Sequence, residues 1–136
     1  MKKLLFIFVI VPFFCEAQYT LTIEAEGIKS SEGYIGVAVY DVDTSFLKKG
    51  KTYRGAFEST KMGTTTITIS DLPEGTYAVS IFHDKNGNKE LDTNFIGIPK
   101  EPVAFSKAKM KMFGPPSFEE CSFKLTSDFE IKIPIK

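Results

Sequence analysis

Tryptophan is absent from this chain, histidine occurs once and cysteine twice. So few soft ligands cannot assemble a four-ligand zinc set, and no nucleophile elbow, phosphate loop or dinucleotide fingerprint appears. The missing indole removes the side chain best suited to stacking on sugar rings, leaving Tyr34, Tyr40 and Tyr53 for that purpose. An excess of either charge is lacking too. The 17 basic groups against 17 acidic ones give no net drive toward nucleic acid.

Long apolar runs are confined to residues 4–14, which follow Met1-Lys2-Lys3. That run falls short of the roughly 20 residues a membrane-spanning helix needs. A charged start, an apolar stretch and small residues before Gln18 instead read as a secretory signal over residues 1–17, cleaved after Ala17. Phe13 and Phe14 ahead of Cys15 argue against a lipoprotein signal. The expected mature chain, residues 18–136, is exported, periplasmic or surface-associated, without a transmembrane segment, of single-domain size and monomeric by default. It keeps Cys121 alone. No internal disulfide can then form, and a bound cation is the remaining staple for an exported fold.

What the chain does have is alternation. Apolar and polar residues take turns over 19–25, 64–70, 76–82, 118–125 and 129–135, and residues 34–41 form a more fully apolar run. Turn residues separate them: Glu32-Gly33, Pro73-Glu74-Gly75, Asn86-Gly87 and Gly114-Pro115-Pro116. Helical spacing is scarce, although residues 43–50 suit one short turn capped by Asp43 or Thr44. About seven short strands with this punctuation predict an all-β, two-sheet β-sandwich, immunoglobulin-like or transthyretin-like. Pro73-Glu74-Gly75-Thr76-Tyr77 matches a tyrosine corner, giving Tyr77 a structural role in which its hydroxyl bonds to backbone just upstream.

The strand carrying Tyr77 leads into Asp84-Lys85-Asn86-Gly87-Asn88-Lys89-Glu90-Leu91-Asp92, where side-chain oxygens recur at alternate positions. Ca2+ takes six to eight oxygen ligands, and a short loop supplies them only if alternate residues point inward while a glycine lets the backbone curl. Asp84, Asn86, Asn88 and Asp92 fall at the first, third, fifth and ninth positions of such a loop. Glu90 falls at the seventh, where a backbone carbonyl usually serves. Gly87 sits at the fourth position rather than the sixth, and the twelfth is Phe95 rather than a bidentate glutamate. A metal-free alternative is an Asn86-Gly87 hairpin turn, but that does not call for carboxylates at both Asp84 and Asp92.

Several segments, in order, resemble the motif set of the DUF2141 family. They are residues 77–88 through His83-Asp84, Leu91-Asp92-Thr93-Asn94, Gly97-Ile98-Pro99-Lys100-Glu101, Phe105-Ser106 and Gly114-Pro115-Pro116-Ser117-Phe118-Glu119. The resemblance implies an exported, Bacteroidetes-type β-sandwich and brings no assigned activity. Lys85 and Lys89 stand where many relatives are more acidic or richer in glycine, which bears on the strength of cation binding.

Outside the loop, His83 is expected on the face of Tyr77, Val79 and Ile81, orienting Asp84 or the loop backbone. Glu119 is a candidate outer ligand. Cys121, beside Glu119 and Glu120, suits a small buried residue better than a nucleophile. Lys107, Lys109 and Lys111 alternate with Ala108, Met110 and Met112, which fits a solvated edge strand or a contact with an anionic envelope polymer or lipid headgroup. These readings combine into an exported, non-catalytic binding or scaffolding module with a Ca2+-stabilised loop and an envelope or surface partner, protein or glycan. The alternative is a small envelope hydrolase or carbohydrate-active protein using His83 with Asp84 or Glu119.

Overall fold

A computed structural model describes residues 4–136; the charged start of the expected signal, Met1-Lys2-Lys3, lies outside the described residues. Residues 4–17 carry neither helix nor strand, and their side chains are exposed. Among the described residues no helix is long and apolar enough to cross a membrane.

Alternation became two sheets. One holds β1 (Gln18–Ile28) between β4 (Gly63–Pro73), antiparallel to it, and β8 (Phe129–Pro134), parallel to it. The other runs β3 (Arg54–Ser59), β2 (Tyr34–Tyr40), β5 (Gly75–Asp84) and β6 (Val103–Phe105), all antiparallel, with β7 (Phe123–Leu125) pairing the first residues of β5. Each strand turns one side inward, as its period of two requires. Leu21, Ile23, Ile67, Ile69 and Ile133 thereby meet Ile35, Val37, Val39, Val79 and Ile81 in one buried core. Full burial of such a side chain stabilises by about 1.5–3 kcal/mol, so this layer is the main driving force for the sandwich.

A second, smaller cluster covers the outer side of the β2–β5–β6 sheet around Ala78, Phe105 and Cys121. Two segments close it: α1 (Phe118–Cys121) and a turn of 3-10 helix, Asp43–Ser45. Tyr40, Phe46 and Phe118 interlock there edge to face.

Four local expectations need correction. Residues 118–125 are a helix and a strand rather than one strand, because Ser117 and Glu120 form a reciprocal capping box that nucleates a helical turn. The 3-10 turn is not capped by Asp43 or Thr44: Val42 precedes it with no side-chain cap, and the Ser45 hydroxyl donates to the Val42 carbonyl. Lys107, Lys109 and Lys111 lie on no edge strand, since Lys107 has φ +59° and breaks extended backbone immediately after β6. Asn86-Gly87 is not the corner of a tight hairpin. Of the two only Gly87 has positive φ, and the chain runs through residues 85–102 before β6 pairs back on β5.

Candidate functional site

The loop grows from the end of β5, where Asp84 is fully buried. Burying a carboxylate is costly unless it is hydrogen-bonded. Its two oxygens accept from the backbone N–H groups of Asn88 (3.2 Å) and Lys89 (2.7 Å), so the chain wraps around the side chain. Gly87 at φ +70° and Lys89 at φ +60° supply the left-handed steps that this wrapping needs. The β1–β2 turn presses from the other side. A Cβ on Gly33, itself at φ +69°, would lie 1.8 Å from the Asp84 carbonyl oxygen, so only glycine fits.

Asn86, Asn88 and Asp92 close the second half. The Asp92 carboxylate accepts from the side-chain amides of Asn86 (2.5 Å) and Asn88 (3.0 Å). The amide oxygens in turn take backbone N–H groups: Asn86 Oδ1 from Asn88 and Asn88 Oδ1 from Glu90. The structure therefore brings Asp84, Asn86, Asn88 and Asp92 into one hydrogen-bonded group. Glu90 enters it through its backbone only, its side chain exposed and without a hydrogen bond or ion pair among the described residues.

Glu101 belongs to the same group and was not anticipated. Its carboxylate accepts from Lys85 N–H (3.2 Å) and Asp92 N–H (3.1 Å), tying both ends of the loop together. No calcium-loop spacing reaches it, because residues 93–99 fold out as a small hairpin, bridged at Thr93 and Pro99, before the chain returns. The only pointer in the sequence was its place in the Gly97-to-Glu101 motif.

Lys89 does not neutralise the loop. Its ammonium lies over the rings of Tyr34 (5.3 Å to the centroid) and Phe57 (5.9 Å), and no ion pair among the described residues involves Asp84 or Asp92. Among the described residues no three His, Cys, Asp or Glu side chains gather in metal-holding geometry, so any cation held here would rest on two aspartates completed by amide and backbone oxygens. Rotating an asparagine amide exchanges its N–H for oxygen with no backbone movement. This donor set, all oxygen, fits a hard cation of the calcium type.

The remaining candidates lie apart. His83 is buried on the inward face with Tyr77, Val79 and Ile81, and its Nε2 donates to the Glu32 carbonyl at 2.8 Å. A carbonyl only accepts, so Nε2 keeps its proton and is closed to a metal. The backbone N–H of His83 donates to Pro102, so the residue fastens the β1–β2 turn and the end of the loop to β5. It does not orient Asp84, which as its neighbour on a strand points to the other face. Glu119 sits on α1, which packs near the Ala78 end of β5, well removed from Asp84. Cys121 is buried, and burial together with nearby Glu120 pushes its thiol up to about 11, so it carries its proton at neutral pH. Tyr77 donates to the Pro73 carbonyl at 2.7 Å, the bond of a tyrosine corner, and burial raises its hydroxyl above the ordinary value.

Comparison with known proteins adds one finding. No curated protein and no solved structure matches the chain. Residues 23–132 match the model of a family described as uncharacterized protein conserved in bacteria, and the chain belongs to that family, DUF2141.

Proposed function

We propose that the protein is an exported, non-catalytic binding or scaffolding module whose 84–92 loop is stabilised by Ca2+. One observation carries this reading: the Asp92 carboxylate accepts from the Asn86 and Asn88 side-chain amides, Asp84 accepts from the Asn88 and Lys89 backbone, and among the described residues no cationic side chain pairs with either aspartate. Asp84, Asn86, Asn88 and Asp92 would hold the ion through side-chain oxygens, and Glu90 through its carbonyl. Bound there, a divalent cation supplies charge neutralisation and a cross-link between the end of β5 and the loop's return. Glu101 keeps that return in place through its two backbone hydrogen bonds.

The placement of the candidate acid–base residues supports the binding module over the hydrolase alternative. His83 and Asp84 face opposite sides of the sheet, and Glu119 lies on a different element. The surface concavities bounded by Thr20 and Glu130, and by Glu16 and Glu74, contain none of these residues. Residues 1–17 act as the export signal in this reading, and the cation takes the place a disulfide would hold in an exported fold. Elemental analysis and calorimetric titration of the purified protein test it: one Ca2+ per chain is expected, at the weak affinity of extracellular modules, on the order of 10⁻⁴ to 10⁻³ M. A protein that is metal-free and gives no heat with millimolar calcium refutes the reading.

A further inference from the structure

The sheets end in β4, in β8, in β3 and in the three-residue strands β6 and β7. Short strands, bulges, lysine and proline are devices that keep an edge from recruiting another strand. β4 slips register against Tyr19–Leu21, where Asp71 stands at φ +58°, and ends at Pro73; β8 carries Lys132 and ends at Pro134. β3, Arg54-Gly55-Ala56-Phe57-Glu58-Ser59, has none of these devices. It keeps unbroken register with β2 over six residues, none of them has positive φ, and all but Ala56 are exposed.

The main chain of β3 is oriented for a partner. Thr60 N–H donates to the Gly33 carbonyl at 3.1 Å, one pair beyond the Tyr34–Ser59 end of the β2–β3 ladder. Antiparallel bonding alternates, so Glu58, Ala56 and Arg54 bond to β2 while Phe57 and Gly55 turn their N–H and C=O groups outward. Place a second β3 antiparallel to the first, about a two-fold axis through Ala56. Gly55 of each copy then faces Phe57 of the other, and the outward groups bond in both directions. The same register sets Arg54 opposite Glu58 twice, Ala56 meets itself, and Gly55 brings no side chain against Phe57. Moving the axis to Arg54 or Glu58 would instead set like charges face to face, which is unfavourable.

Both charges are open to such a pairing. Glu58 makes no side-chain hydrogen bond or ion pair among the described residues, and Arg54 pairs with no carboxylate among them. Arg54 lies over the Tyr53 ring and donates one N–H to the Tyr53 carbonyl, which leaves its other guanidinium donors open. Backbone bonding alone would accept any strand. The reciprocal Arg54–Glu58 match is what a strand of this sequence finds on meeting itself.

We propose that β3 pairs with β3 of a second copy, antiparallel about Ala56, and so joins two sheets into one across a two-fold dimer. The pairing requires no cation in the 84–92 loop.

The test is sedimentation velocity of the purified protein over a dilution series, every variant carrying the same N-terminus. Wild type should pass from monomer to dimer as concentration rises. Arg54→Glu and Glu58→Arg, each at an exposed position, should leave the melting temperature unchanged and weaken the dimer about tenfold or more, since each sets like charges opposite twice. An equimolar mixture of the two variants should dimerise again, because every facing pair is then of opposite sign. Hydrogen exchange on wild type needs no variant: Gly55 and Phe57 N–H should gain protection with concentration, whereas Ala56 and Glu58 N–H are already bonded to β2. A wild type that stays monomeric, folded variants that dimerise as wild type does, a mixture that stays monomeric, or a dimer whose Gly55 and Phe57 gain no protection would overturn the proposal, the last by placing the contact elsewhere.

Discussion

The two ends of β5 are closed by opposite means. Near the start of the strand, Tyr77 belongs to the same buried core as Leu72, Phe123 and Leu125, and its hydroxyl reaches back four residues to Pro73. At Asp84 the strand ends in a fully buried carboxylate that the following loop must satisfy bond by bond. Apolar closure is indifferent to ions and tolerant of small changes, whereas a buried charge fails sharply when one partner is lost. One strand therefore has a self-sufficient end and an end whose stability is conditional on electrostatics.

Glycine substitutions sharpen the contrast most. Gly33→Ala drives a Cβ into the Asp84 backbone from a left-handed conformation and should destabilise by about 3 kcal/mol in urea unfolding. At the other end a Cβ on Gly75 would meet the Tyr77 ring at 3.5 Å, an ordinary contact, and Gly75→Ala should stay within about 0.5 kcal/mol of wild type. Equal costs would break the comparison. Tyr77→Phe should follow at about 0.5–1.5 kcal/mol, identical in calcium and in chelator, because the lost bond lies at the apolar end.

The smallest effect is a pH dependence away from both ends. The Lys111 ammonium and the Ser117 N–H and hydroxyl hold the Glu120 carboxyl down to about 2. Its folded value lies below the ordinary 4.5, so its contribution is present above that value and is lost as pH falls toward 2. The melting-temperature gap between wild type and Glu120→Gln should thus be constant near neutrality and close in acid.

How far these regions could be read beforehand follows from their physics. Strands β1, β4 and β8 announce themselves because one face is more buried than the other, and β2 and β5 because they carry apolar residues on both faces, the outer side being covered by the second cluster. β3 does not, because as an edge strand nearly all of its residues are exposed and no alternation is imposed on it. β6 is only Val103 to Phe105, too short to show a period. Around Cys121 two signals overlapped: Cys121, Phe123 and Leu125 alternate as a strand, while Phe118 and Cys121 share a helix face, and the Ser117–Glu120 box decided for the helix. Tyr77 was legible because its partner is four residues away. Asp84, Asn86, Asn88 and Asp92 were legible as a group because the loop is local. Glu101 and the Gly33 contact were not, since tertiary folding alone brings Glu101 to Lys85 and Asp92, and Gly33 to Asp84.

The cation claim is tested most directly by comparing melting temperatures of wild type and Asp92→Asn in chelator and in excess calcium. Asp92→Asn keeps shape and removes one of the two charges that, among the described residues, pair with no cationic side chain. At about 100 times its dissociation constant calcium should add about 2.7 kcal/mol to the wild type by mass action. The wild-type melt should rise accordingly, and the Asp92→Asn melt should stay near its chelator value. Equal melting temperatures for both proteins in both conditions would mean that the oxygens of residues 84–92 are turn chemistry alone, contradicting the account.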